Sequence, residues 1–128
     1  MMKDQKLWTW HLAAGAVIAL FLGLHMLTMH VDGLIPIRAL NVASDQRAID
    51  WVNVVARGKS TFFALTYVVL LGAALFHGLY GLRNILFELN PSAGLKKVVG
   101  AVLLLAGLGL FAFGTWAAVA GHMLARTF

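Results

Sequence analysis

Residues 60–82, STFFALTYVVLLGAALFHGLYGL, contain no Asp, Glu, Lys or Arg and stop against Arg83. A helix needs about 20 apolar residues to cross the hydrocarbon of a bilayer, so this stretch predicts a transmembrane span. Working outward, residues 12–31 form a second uncharged run of spanning length, with Trp8 and Trp10 as an aromatic belt at its start. Residues 98–124 form a third, entered after the turn signal Asn90-Pro91-Ser92 and closed by Arg126. The run 12–31 ends in Met-His-Val-Asp and not in a small-residue cleavage site, so a retained helix is expected there instead of a signal peptide. The predicted fold class is all-α integral membrane, with three antiparallel transmembrane helices in one membrane-anchor domain over residues 1–128.

Composition agrees with that reading. Of 128 residues, 61% are hydrophobic and 12% charged, and the mean hydropathy is +0.85. Soluble domains are about 45–50% apolar and about one quarter charged, so composition speaks against a water-soluble globule. Three spans nearly exhaust the length and leave no room for a separate soluble catalytic domain. The formal net charge is +5, but every Lys and Arg lies outside the three runs, as interfacial anchors do, instead of forming a nucleic-acid stripe. Cysteine is absent, which excludes disulfides, thiolate-held iron–sulfur clusters and covalently attached c-type haem. Metal chemistry must therefore use histidine or carboxylate. Basic residues do not set the orientation, because Lys3, Lys6, Arg83, Lys96 and Lys97 on one side balance Arg38, Arg47, Arg57, Lys59 and Arg126 on the other.

Between the first two spans, Ser44 can cap a short helix with Asp45 in its first turn, and Ile49, Val52 and Val55 fall along one side. That helix either lies at the membrane interface or extends the second span on the water side, with Gly58 as a bend. In the third span Gly100, Gly107, Gly114 and Gly121 recur every seven residues. Such a stripe lets a neighbouring backbone approach closely where lipid offers no hydrophobic driving force, so a packing seam is predicted.

The polar groups inside the spans that most need explaining are His25 and His77. An ionisable residue at membrane depth is costly and marks a candidate site, the alternative being an interhelical hydrogen bond. Gly81, one turn after His77, leaves a gap in which a flat macrocycle fits. His25 has no such neighbour on its face, where Phe21, Leu22, Thr28 and Met29 surround it. Neutral imidazole is the usual axial ligand of a b-type haem. At about 1.5 Å per residue in a core of about 30 Å, the two histidines differ in height by about 13 Å. Two ligands of one iron sit about 4 Å apart, each bond being about 2 Å. His25 and His77 therefore cannot share a haem, and if both are ligands there are two haems, each completed by another polypeptide. His11, His30 and His122 lie near helix ends as interfacial side chains. His30 with Asp32 forms a polar group suited to a quinol or a proton relay, and His11 or His30 can meet a haem propionate.

His77-Gly78-Leu79-Tyr80-Gly81-Leu82-Arg83, followed by Glu88, resembles the haem-ligand signature of the membrane-anchor cytochrome b subunits of succinate dehydrogenases and fumarate reductases. Gly15 followed by Leu24-His25-Met26 resembles the corresponding first-span segment of the dihaem, two-anchor members. The resemblance covers the first two spans, and the third only in length and position. It implies that His77 ligates an inner haem b and His25 an outer one, each haem shared with a second membrane-anchor subunit. It implies further that Arg83 meets a haem propionate or a quinone, for which menaquinone is the expectation, and that a flavoprotein subunit and an iron–sulfur subunit are partners. The N-terminus would face the cytoplasm of a prokaryotic inner membrane. In several members a serine and an arginine early in the first span line a ubiquinone pocket, where this chain has Trp10-His11-Leu12-Ala13-Ala14. A single-haem anchor, a haem-free anchor and the cytochrome b subunit of another membrane dehydrogenase are the alternatives.

Overall fold

The computed structural model describes residues 2–30 and 50–128, with side chains over 5–27 and from 50 onward. Its helices are α1 (Met2–His30), α2 (Trp51–Lys59), α3 (Thr61–Glu88) and α4 (Ala93–Ala125), and the described residues contain no strand. Three segments, Gln5–Leu27, Thr61–Glu88 and Ala93–Ala125, are long and apolar enough to cross a membrane. Hydrocarbon offers backbone groups no water, and a helix satisfies them within its own segment. The helices outrun the apolar stretches: α1 begins at Met2, α3 continues to Glu88 and α4 starts at Ala93. Lys, Arg, Glu and Leu are good helix formers, so charge ends the apolar run without ending the helix.

The turn between α3 and α4 lies at Asn90-Pro91-Ser92. Asn90 takes a left-handed φ of 51°, which asparagine tolerates better than most residues. Ser92 then caps α4, its Oγ accepting the Leu95 N–H at 3.3 Å.

The break between α2 and α3 falls at Ser60, with φ −83° and ψ 120°, and not at Gly58. Gly58 has a different use. A Cβ there would lie 2.8 Å from Cβ of Ala125, so its absence lets the end of α2 dock against the end of α4. The Gly58 carbonyl, left without an intrahelical partner at the helix end, accepts a hydrogen bond from Nδ1 of His122 at 2.7 Å. Of the apolar side drawn through Ile49, Val52 and Val55, Val52 is 62% exposed and Val55 half-buried, and the buried residue of α2 is Asn53. Ser44, Asp45, Ile49 and the His30 side chain lie outside the described residues.

Helix α3 occupies the middle, with α1 packed on one side and α4 on the other. Low residue numbers on each flanking helix meet high numbers on α3: His11 meets Gly81, Gly15 meets His77, Gly107 meets Leu79 and Gly114 meets Leu71. The glycine stripe of α4 is closed in its middle and open at its ends. A Cβ at position 107 would come within 2.8 Å of Leu79 Cδ1, and one at position 114 would collide with the Leu71 side chain. Helix α3 reciprocates at Gly72, where a Cβ would lie 3.2 Å from Phe111. Gly100 and Gly121 face open space and line two separate clefts. Among the described residues only Ala125 and Asn53 are buried. The large apolar side chains point outward, as they do where lipid is the solvent.

Gly107→Val and Gly114→Val should each destabilise the fold by about 1–3 kcal/mol through overpacking. Gly109→Val, on the same helix with nothing near its missing Cβ, is the control. Denaturation in mild detergent should rank Gly109→Val well above the other two. Equal losses at all three positions would assign the effect to helix propensity and remove the seam.

Candidate functional site

The spacing His-x-x-x-Gly occurs in α1, at His11 and Gly15, and again in α3, at His77 and Gly81. Four residues is about one helical turn, so each imidazole has a bare patch of backbone next to it on the same face. The two helices exchange these features. The His77 ring lies over Gly15, where a Cβ would be 3.1 Å from its Cε1, and the His11 ring lies over Gly81, at 3.4 Å. The two rings stack with centroids 4.0 Å apart and planes 6° from parallel.

Nδ1 of His77 is 3.0 Å from the backbone oxygen of His11. A carbonyl can only accept, so Nδ1 carries a proton, and in the neutral ring Nε2 then keeps the lone pair. Nδ1 of His11 is itself buried and has no hydrogen-bond partner among the described residues. Tyr80 tilts against the His11 ring at 5.2 Å and stacks on Phe76 at 5.7 Å, extending the aromatic group along α3.

The Tyr80 and Phe76 side chains also line a cleft of about 520 Å³ between α3 and α4. Gly72 and Phe111 stand at one end of this cleft, Arg83 and Gly100 at the other, with Leu75 and Leu79 along its wall. Arg83 is half-buried, and its guanidinium packs 4.3 Å from the centre of the Phe87 ring. A planar cation over an aromatic face keeps its charge while its stem covers apolar surface. The cleft is thus apolar along its length and cationic at one end. A second cleft, of about 490 Å³, lies beyond the other end of the glycine stripe, with Tyr67, Arg57 and His122 among its walls.

The sequence-predicted residues divide accordingly. His77, Gly81 and His11 come together. Arg83 stands on the same helix, one to two turns further on. His25 is exposed on α1, ten residues past Gly15, which is about 15 Å along the axis. The gap beside Gly81, suited on sequence grounds to a macrocycle, is filled by the His11 imidazole, because α1 presents its own histidine at that level. Gly15 faces His77 and not His25. His122 holds the end of α2. Sequence reasoning missed the pairing of His11 with His77, although the repeated four-residue spacing carried the signal. No family model matches the chain, and no curated protein or solved structure is similar to it.

Proposed function

We propose that the chain is a membrane-anchor cytochrome b subunit of a succinate:quinone oxidoreductase, the non-catalytic part that carries electrons between a soluble iron–sulfur subunit and the quinone pool. The observation that carries this reading is the resemblance of His77-Gly78-Leu79-Tyr80-Gly81-Leu82-Arg83 to a haem-ligand signature; the hydrogen bond from Nδ1 of His77 to the His11 carbonyl is compatible with it, and is also the interhelical bond that a haem-free anchor would make. Histidines that ligate a metal nearly always donate their other ring N–H to a carbonyl, carboxylate or water, which fixes the tautomer and leaves Nε2 free to bind. Groups that would hold a b haem are present, His77 offering Nε2 and Arg83 a cation to a propionate, while the gap beside Gly81 is taken by the His11 ring, so the macrocycle would lie elsewhere around His77. The buried Nδ1 of His11 offers a further polar contact. A haem bound here supplies a one-electron carrier inside the membrane.

The resemblance of the first two spans supports the rest of the proposal. His25 ligates a second, outer haem, and a second membrane-anchor subunit supplies the opposing ligands. Flavoprotein and iron–sulfur subunits dock on the cytoplasmic face of a prokaryotic inner membrane, and the quinone is menaquinone. The three spans run antiparallel with the N-terminus inside, and α2 lies at the outer interface. That Gly15 faces His77 and not His25 favours a second reading, in which only His77 ligates and the complex holds one haem.

In redox titrations of the assembled complex, His77→Ala should remove or alter one haem component and His25→Ala the other. One haem per complex, or loss of both components from either substitution alone, would replace the two-haem reading with the single-haem one. The absence of haem from the wild-type complex would remove both readings.

Arg83→Gln withdraws a positive charge that favours the reduced haem, so the inner component should shift to lower potential. An unchanged potential together with unchanged quinone turnover would make Arg83 an interfacial anchor only.

Reporter fusions at Phe128 and within residues 88–97 should report opposite compartments, the latter cytoplasmic. A cytoplasmic C-terminus would overturn the orientation.

A further inference from the structure

The carbonyl of His11 already serves its own helix, accepting the Gly15 N–H in the ordinary four-residue pattern. A second donor can reach it only from the side. On a helix, the side chain at a given position lies over the turn before it, so any side chain at position 15 would cover the carbonyl of residue 11. Gly15 leaves that flank bare. His77 arrives through the opening, its Nδ1 at 3.0 Å from the oxygen. A Cβ at position 15 would stand 3.2 Å from that same Nδ1 and 3.1 Å from Cε1, closer than ordinary contact, so the ring would have to shift by a few tenths of an ångström, which lengthens or bends its bond to the oxygen. The His11 imidazole, parallel to the His77 ring at 4.0 Å, closes the other degree of freedom by fixing the ring plane.

We infer that Gly15 and His11 are the positioning residues of His77: Gly15 uncovers the carbonyl that selects the Nδ1–H tautomer, and the His11 ring sets the plane in which Nε2 is presented. The consequence for a bound haem rests on the reading given above, but the tautomer does not. A hydrogen bond from the far nitrogen makes an imidazole a more basic ligand, which favours ferric iron and lowers the potential. Loss of that bond raises it.

The test compares Gly15→Ala with Gly23→Ala, a matched change in the same helix whose new Cβ meets nothing within 4 Å. In the full chain, haem-free in lipid nanodiscs with isotope-labelled histidine, magnetic resonance should find wild-type His77 in the Nδ1–H form. Gly15→Ala should move it toward a mixture of tautomers, and Gly23→Ala should leave it unchanged. In the haem-loaded complex, Gly15→Ala should raise the midpoint potential of the component that depends on His77 and shift its largest g value, with Gly23→Ala again unchanged. If Gly15→Ala does not assemble, His11→Ala takes its place: it keeps the carbonyl and the tautomer, loses the stacked ring and shifts the g value, and His11→Phe restores it. An Nε2–H tautomer in the wild type, or a Gly15→Ala protein that matches Gly23→Ala in every readout, overturns the inference. A haem-free wild-type complex whose His77 is in the Nδ1–H form supports it and overturns the haem reading instead.

Discussion

Everything in this molecule depends on how closely two helix backbones can approach α3. Lipid tails are as apolar as leucine side chains, so no hydrophobic gain draws these helices together, and association rests on van der Waals contact and interhelical hydrogen bonds. Glycine is what makes both available here. On the α4 side, Gly107 and Gly114 take the side chains of Leu79 and Leu71, which is dispersion without polar chemistry. On the α1 side, Gly15 and Gly81 take imidazoles. The same device, a missing Cβ, produces an inert seam on one face of α3 and a polar one on the other.

The polar seam concentrates chemistry because its groups are only partly satisfied. Nδ1 of His77 has a partner, and the buried Nδ1 of His11 has none among the described residues. In a low-dielectric setting an unpaired polar atom is costly. Arg83 and the apolar cleft stand on the neighbouring face of the same helix, joined to the histidines through Tyr80. A single helix therefore presents an imidazole, a cation and one wall of an apolar cleft between Gly72 and Arg83, within about three turns.

Much of the fold was legible in the sequence. Runs of uncharged residues long enough to span, the Asn90-Pro91-Ser92 turn and the seven-residue glycine stripe are local or periodic signals, and each has its counterpart in the structure. Helix ends were less legible, since hydropathy marks where lipid ends and not where hydrogen bonding ends. The role of Gly58 was misplaced because a glycine near a helix end reads equally as a bend or as a docking point, and only the position of Ala125 distinguishes them. At the site, His77 and Gly81 were found from spacing within one helix. His11 was set aside as an end residue because its importance comes from α3, and a sequence read one helix at a time does not show which turn of one span lies level with which turn of another.

The stacked rings also bear on how many chains a haem at this site would need. Two axial ligands face one another across the iron, their nitrogens about 4 Å apart with the metal on the line between them. His11 and His77 instead lie face to face, 4.0 Å between centroids and 6° from parallel, with no line between ligand nitrogens on which a metal could sit. His25 is about 15 Å further along α1 than Gly15. His122 is bonded to Gly58 at the far end of α4. Among the described residues no second histidine of this chain can stand opposite His77. Within the described residues, a haem held by His77 would therefore find no second histidine ligand in this chain.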